Sequence, residues 1–371
     1  MHSKNRSVMN ESLLSRTISF LRFPLIVGVV FIHSNMLVVN IQGTIIRYDK
    51  WPFVAFVMNL FSSVLADVCV PLFFFISGFL LFYYSAFSKE EYLTKIKKRV
   101  YSLLVPYLIW NFIAFIILLI QVHPKVISFF PLLKDYRVDI ISFMSSFWVT
   151  NLPVAMSGPA NPINTPLWFV RDLMVLVVFS PIIWWLIKKT GIFVVILLGI
   201  VWFFTLGESV GFPGLCHQSL FFFPLGAFFG IRHLDFVTLA KKMRWTPYIY
   251  AIIAIMDALT KDTPFSGLLH HFEILIGMIT FVYLVSLFLE KGKIHVCSFL
   301  AGASFFVYAL HNLFLGKMMK VVLMVVKPES QILVLLIYFL MPTITILLCL
   351  VLYKALCRFS PTVSSVVIGG R

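Results

Sequence analysis

The sequence predicts an all-α fold: a polytopic integral membrane helical bundle of about ten transmembrane helices. Hydrophobic residues make up 60% of the 371 residues and charged residues 12%, about half the roughly 25% found in ordinary soluble domains. The mean hydropathy is +0.98, and a soluble domain has too much surface to hide so many apolar side chains. These values exclude a water-soluble enzyme, a disordered chain and a disulfide-stapled secreted domain.

Ten apolar runs, separated by charged or proline-rich breaks, have lengths near the roughly 20 residues that a helix needs to cross the bilayer core. They cover about 18–39, 67–86, 100–121, 165–188, 191–207, 217–231, 246–260, 267–289, 299–326 and 330–357. We therefore assign residues 18–357 to one membrane domain, flanked by two short cytoplasmic tails at residues 1–17 and 358–371.

Two shorter apolar stretches lie between these runs. The stretch 51–66 is followed by a polar break at Asp67, which predicts a separate short helix lying at the outer membrane interface. Residues 122–164 contain several prolines and are predicted to form a long outer loop. The apolar stretch 140–149 inside it is predicted to form a second short interfacial helix.

The distribution of positive charge predicts the orientation. With the N-terminus inside, the inner segments hold 20 of the 30 Lys and Arg residues and the outer segments 7, and cytoplasmic loops of membrane proteins collect such residues. We therefore expect both termini in the cytoplasm and a multi-pass protein of the cytoplasmic (inner) cell membrane. The net charge of +15 fits contacts with anionic membrane lipids, so no nucleic-acid partner is expected. The five cysteines form no CxxC pair, so neither a metal site nor a disulfide framework is predicted.

The first span carries two ionisable residues, Arg22 and His33, eleven positions apart. At 100° and 1.5 Å per residue they share one helix face, with His33 about 16 Å deeper than Arg22. Ionisable side chains inside a membrane cost about 2.5–3.5 kcal/mol each, so they often mark function. Because histidine exchanges protons near neutral pH, His33 is a candidate general base; the alternative is a histidine that only packs against a neighbouring helix.

The ninth span carries a polar face formed by Ser304, Tyr308 and His311, at offsets of four and three residues. A polar stripe at this depth must face a cavity or another helix. We expect Tyr308 and His311 to assist His33 in catalysis by orienting it or the reacting group. The small residues of Ser77-Gly78 in the second span predict a close approach of another helix.

Two further groups of charged residues stand out. A basic cluster that includes Lys97, Lys98 and Arg99 precedes the third span. Either it only sets the membrane topology and contacts lipid headgroups, or it binds the phosphates of a ligand. A second group is predicted in the outer third of the membrane. It forms either mutual ion pairs that order the bundle or a polar funnel that binds substrate, and it comprises Arg171, Asp172, Asp257, His270 and Glu273.

Taken together, the motifs resemble the acyltransferase-3 family of integral membrane acyltransferases, and the resemblance extends from residue 18 to about 357. The matching segments occur in the family's order. They are Leu21-Arg22 with His33, Pro71-Leu72-Phe73-Phe74-Phe75-Ile76-Ser77-Gly78, Lys97-Lys98-Arg99 leading to Pro106-Tyr107, Pro166-Leu167-Trp168-Phe169, Phe222-Phe223-Pro224-Leu225-Gly226, and Ser304-Phe305 with Tyr308 and His311. Two departures are Ser19, where many members carry Asp, and Ser102, where some carry a second arginine.

The resemblance implies an O-acyltransferase, most often an O-acetyltransferase, that uses cytosolic acyl-CoA as co-substrate and holds no permanently bound cofactor. The acceptor would be a hydroxyl of an extracytoplasmic glycan or lipid-linked sugar. Arg22, Lys97, Lys98 and Arg99 would bind the coenzyme A phosphates, and His33 would act as general base or transient acyl carrier. Two alternatives stay open: a saccharide transporter lined by the same polar residues, and a non-catalytic subunit of a polysaccharide export complex.

Overall fold

The computed structural model describes residues 12–370 except 42, 84, 86, 128–129, 131–132, 135, 151, 153–160, 206–212, 262 and 264. The described residues form mainly helices: α1 (Leu13–Ile32), α2 (Pro52–Leu60), α3 (Cys69–Tyr83), α4 (Lys89–Arg99), α5 (Val105–Gln121), α6 (Ile140–Ser145), α7 (Trp168–Val178), α8 (Ser180–Thr190), α9 (Phe193–Phe204), α10 (His217–Ile231), α11 (Phe236–Lys242), α12 (Thr246–Thr260), α13 (Ser266–Glu290), α14 (Ser298–Val326), α15 (Gln331–Phe359) and α16 (Pro361–Ile368).

Short elements of other types connect these helices. Two π-helical turns, Phe61–Leu65 and Val100–Leu104, lead into α3 and α5, and a 3₁₀ turn, Thr165–Leu167, leads into α7. The described strands are β1 (Val38–Ile41) and β2 (Thr44–Arg47), which form one antiparallel hairpin. The predicted all-α membrane bundle is thus confirmed in its class, with this small hairpin added.

Six helical segments of the described chain are long and apolar enough to cross a membrane: Leu13–Ile32, Pro52–Tyr83, Lys89–Gln121, Ser266–Glu290, Ser298–Val326 and Gln331–Phe359. Two bent pairs, Thr165–Val178 with α8 and α10 with α11, raise the number to eight if each pair crosses once. The apolar helices α9 and α12 have 12 and 15 residues, fewer than the roughly 20 of a straight span. The predicted number of ten spans is therefore not confirmed, and the cytoplasmic location of both termini stays a prediction.

The first predicted span, 18–39, extends too far toward its C-terminus. Helix α1 ends at Ile32, and the side chain of Asn35 accepts a hydrogen bond of 3.0 Å from the backbone N–H of Leu37. Asparagine side chains that bond the backbone two residues on favour turns over helix. The β-branched residues that follow then pair as strand β1.

The predicted interfacial helix at 51–66 is instead continuous with the second span. Residues Pro52–Tyr83 form one helical segment of 32 residues, and Asp67 lies inside it. The polar break at Asp67 had suggested a boundary between two helices. The π-helical turn Phe61–Leu65 instead accommodates the irregularity within one helical segment. A carboxylate within an otherwise apolar helical segment is therefore placed among the helices of the bundle.

Helices α3 and α10 pack with their backbones in contact, as the small residues at Ser77-Gly78 predict. A Cβ atom built on Gly78 would lie 2.1 Å from the backbone oxygen of Phe223, and one on Gly226 would lie 1.9 Å from that of Phe75. Phe222 and Phe223 of α10 are both fully buried. Only glycine permits this approach, so the predicted close contact is confirmed.

Residues 361–368, which we assigned to the C-terminal tail, form helix α16. The indole N–H of Trp110 in α5 donates a hydrogen bond of 3.0 Å to the backbone oxygen of Val367. Gly369 follows with a φ of +74°, and a Cβ there would lie 2.4 Å from the backbone oxygen of Ser102. The tail therefore packs against the bundle at the base of α5.

Candidate active site

A cavity of about 610 Å³ lies in the bundle and is bordered by α1, α3, the start of α7 and α14, a volume in the range of small-molecule sites. Helix α1 contributes Arg22, Ile26, Val29 and His33, whose offsets of four, seven and eleven residues define one helix face. The prediction that Arg22 and His33 face the same way is therefore confirmed. At 1.5 Å per residue, the cavity extends about 16 Å along α1 between them.

One end of the cavity is basic. Arg22 and Arg99 both border it, together with Ser102, Gly369 and Gly370. Arg99 ends α4 and Ser102 lies three residues later, in the π-helical turn that follows, and both border the same end of the cavity. Among the described residues, no acidic side chain pairs with either arginine. Two free guanidinium groups at the end of a cavity suit an anionic ligand such as phosphate.

Lys97 and Lys98, the other predicted donor-binding residues, point elsewhere. Both side chains are exposed, and neither borders the cavity. They lie on the surface of α4, where basic side chains also contact lipid headgroups.

His33 and His311 meet at the other end. His33 caps the C-terminus of α1 and is half-buried, and its ring borders the cavity. The fully buried ring of His311 lies with its centroid 5.3 Å from that of His33. Nδ1 of His311 donates to the backbone oxygen of Tyr308 at 2.8 Å, because a carbonyl oxygen only accepts. Nε2 is therefore left as an acceptor, and no described residue donates to it.

Tyr308 borders the cavity together with Ser304, one turn earlier on α14. The hydroxyl of Tyr308 donates to the backbone oxygen of Pro166. The side-chain N–H of Asn164 donates to the backbone oxygen of Ala309 at 2.9 Å. These bonds fix the 3₁₀ turn before α7 against α14, so the predicted polar face of the ninth span lies on the cavity and on its supporting wall.

The predicted outer group of charged residues divides into two separate clusters. Arg171 and Asp172 form a buried ion pair of 3.1 Å, and Asp172 also accepts from the backbone N–H of Cys216 at 2.9 Å. Arg171 in turn donates to the backbone oxygen of Trp148 at 2.7 Å. Neither member of the pair borders the cavity, and their contacts tie α7 to α10 and to the loop between α6 and α7.

The second cluster lies between α12 and α13. Asp257 contacts Nδ1 of His270 at 2.8 Å and the Lys261 ammonium at 3.0 Å. Glu273 is fully buried, and its carboxylate lies 3.7 Å from Nδ1 of His270. Candidate metal ligands from Asp257, His270 and Glu273 lie within 4.8 Å of one another. The Lys261 ammonium, 3.0 Å from Asp257, already provides positive charge where a metal ion would bind.

The structure shows one acidic residue at the cavity that the sequence interpretation missed. Asp67 borders the cavity, and its carboxylate lies 3.4 Å from Nε2 of His270. It therefore joins the α12–α13 cluster to the cavity that contains His33. The signal was present in the sequence, since a single carboxylate within an apolar segment is expensive in a membrane, but we interpreted it as a helix boundary.

Comparison with known proteins identifies the family. The profile of the acyltransferase-3 family, described as an acyltransferase domain, matches residues 16–354. The succinoglycan biosynthesis protein ExoH of Rhizobium meliloti (strain 1021) is 27% identical over 179 residues, which are 48% of this chain and 45% of that protein. The chain thus matches less than half the length of this relative. No solved structure matches the chain. Because the family profile covers nearly the whole membrane bundle, including Arg22, His33, Tyr308 and His311, the chain belongs to the acyltransferase-3 family.

Proposed function

We propose that this multi-pass membrane acyltransferase moves an acyl group, acetyl in the simplest case, from cytosolic acyl-CoA to a hydroxyl of an extracytoplasmic saccharide. The observation that carries the proposal is the cavity, which joins Arg22 and Arg99 at one end to His33 at the other. The similarity to a succinoglycan biosynthesis protein supports a saccharide acceptor. The predicted orientation of α1 supports a donor that enters from the cytoplasm.

The basic end suits the phosphates of coenzyme A. Arginine binds phosphate through paired N–H groups, and Arg22 and Arg99 have no acidic partner among the described residues. The pantetheine arm would then extend along the α1 face past Ile26 and Val29 toward His33. Apolar walls at this depth keep bulk water away from the thioester.

His33 would act as the general base. It takes the proton of the acceptor hydroxyl while the hydroxyl oxygen attacks the thioester carbonyl carbon. The carbon–sulfur bond then breaks, and the leaving thiolate receives the proton back from His33. The products are the acylated saccharide and free coenzyme A thiol. His311 would support the His33 ring through the contact between the two rings, whose centroids lie 5.3 Å apart, and Tyr308 would position the wall beside the thioester.

Purified protein in lipid nanodiscs, supplied with acetyl-CoA and saccharides from the cell envelope of the source organism, tests this proposal. We expect a saccharide product that is heavier by one acetyl group, together with an equal amount of free coenzyme A, both measured by mass spectrometry. A transporter or a non-catalytic subunit would leave the acetyl-CoA intact and would contradict the proposal.

A further inference from the structure

Asp67 is the one carboxylate among the described residues that border the cavity; the other charged side chains there are Arg22, Arg99 and, when protonated, His33. About a third of the Asp67 side chain, 32%, is accessible, and it faces this space. A carboxylate in a mostly apolar cavity at membrane depth is energetically unfavourable, and carboxylates at such positions usually mark functional sites.

The packing of α1 against the 52–83 segment fixes the depth of Asp67. The hydroxyl of Ser62 donates to the backbone oxygen of Phe31 at 2.6 Å, and a Cβ on Gly28 would lie 2.3 Å from Sγ of Cys69. Asp67 therefore lies level with residues just beyond Gly28. That level is four to five residues before His33, or about 7 Å along the helix axis.

A chain of charged side chains contacts the Asp67 carboxylate on the side away from the cavity. Nε2 of His270 lies 3.4 Å from it, and Nδ1 of the same ring lies 2.8 Å from Asp257. Asp257 is fully buried and also contacts the Lys261 ammonium at 3.0 Å. A rigid ring clamped between two carboxylates can orient the outer one, which is the arrangement of an orienting residue behind a functional group.

We propose that Asp67 is a functional residue of the acyl-transfer site, and that its carboxylate stabilises the positive charge that forms on His33 during transfer. His33 is neutral before the reaction and becomes an imidazolium when it takes the hydroxyl proton. An ionised carboxylate attracts the imidazolium but has no net charge to attract in the neutral ring. Its effect is therefore confined to the transition state, where it lowers the barrier. Asp67 transfers no proton itself, and His270 is its positioning residue.

This proposal rests on the proposed acyl-transfer function and makes a distinct kinetic prediction. Replacing Asp67 by Asn removes the charge and keeps the shape of the side chain. For charges roughly 7–10 Å apart at an effective dielectric near 20, Coulomb's law corresponds to about a 10- to 50-fold loss of kcat. The KM values for acyl-CoA and for the saccharide should stay unchanged, because the interaction is made only in the transition state.

The experiment measures kcat and both KM values for wild type, Asp67→Asn, Asp67→Glu and His270→Gln, with the melting temperature of each. We expect Asp67→Glu to recover part of the lost kcat, and His270→Gln to lower kcat by a smaller factor, since the carboxylate remains but loses its clamp. Asp49→Asn is the matched control, because Asp49 is equally accessible at 32% but lies in an ion pair on the β-hairpin side; its kinetics should equal those of wild type.

The possible outcomes separate the two proposals. An inactive wild-type protein overturns the proposed function, whatever the variants do. With an active wild type, an unchanged kcat in Asp67→Asn overturns the role of Asp67, as does a raised saccharide KM at unchanged kcat, which would make Asp67 a binding residue. Should Asp67→Asn fail to fold, an unchanged kcat in His270→Gln overturns the proposal, and a lowered kcat at constant KM supports it.

Discussion

The ring of His311 lies 5.3 Å from the ring of His33, centroid to centroid, and joins the ninth predicted span to the first. His311 is fixed by two backbone oxygens of its own helix, so its orientation depends on α14 alone. Among the residues that the structure describes, none fixes the His33 side chain in this way, and His33 lies at the end of α1 on the cavity wall. The fixed ring of His311 can therefore align the ring of His33, the candidate general base.

His33→Ala should abolish detectable acyl transfer while the protein still folds. A positioned general base contributes about 10²- to 10⁴-fold to a rate, and no second histidine of the described cavity lining replaces it. The measurement is the rate of coenzyme A release, with the melting temperature as the test of folding. His295→Ala is the control, since that side chain is exposed in the loop before α14. Normal transfer in a folded His33→Ala variant would refute the assignment.

His311→Ala should lower kcat by a smaller factor than His33→Ala, because it removes the support of the base and leaves the base in place. The double variant should be no slower than His33→Ala alone, since residues that act as a unit are strongly non-additive. Initial rates of the wild type, the two single variants and the double variant give the coupling free energy between His33 and His311. Independent, multiplying effects would show that the contact between the two rings has no role in transfer.

Arg22→Gln and Arg99→Gln should each raise the KM for acyl-CoA, with a smaller loss of kcat, because they remove ground-state binding of the donor phosphates. Steady-state kinetics with varied acyl-CoA checks this. Lys89→Gln, an exposed residue at the start of α4, provides a control for the loss of one surface charge. An unchanged KM for acyl-CoA in both arginine variants would show that the basic end sets the membrane topology and does not bind the donor.

Gly78→Ala should destabilise the protein by about 1–3 kcal/mol, the usual penalty of overpacking, because the new Cβ would lie 2.1 Å from the backbone oxygen of Phe223. Gly316→Ala is the matched control. It also lies within a long helix but has no atom within 4 Å of its Cβ position, so the change should be neutral or slightly stabilising. Thermal unfolding in detergent compares the two, and equal melting temperatures would contradict the described packing of α3 on α10.

The helical membrane fold and the Arg22–His33 face could be predicted because both follow from local rules: apolar runs of bilayer length and the 3.6-residue period. The end of α1 and the continuity of the 52–83 segment could not. They depend on the turn at Asn35 and on a π-helical turn at Phe61–Leu65, which hydropathy does not reveal. The contacts of Asp67 were also beyond the sequence, since its partner His270 lies on a helix far along the chain.

Asp172→Asn should lower stability more than it alters kinetics, because it removes the negative charge of the buried ion pair with Arg171. Breaking a buried pair in this way costs about 3–5 kcal/mol, and the pair does not border the cavity. Glu290→Gln, which breaks the exposed pair with Lys241, should have a much smaller effect on the melting temperature. A raised saccharide KM at an unchanged melting temperature would instead favour the substrate-binding role that we predicted from the sequence.

In the proposed mechanism, the acyl group reaches an extracytoplasmic acceptor from a cytosolic donor through the cavity between Arg22 and His33. Sealed membrane vesicles of known orientation test this route, with acyl-labelled acetyl-CoA on one face and the saccharide on the other. We predict labelled saccharide only when the donor is on the cytoplasmic face and the acceptor on the opposite face, with none in His33→Ala vesicles. Transfer that requires donor and acceptor together on the cytoplasmic face would show that acylation occurs inside the cell and would rule out this route.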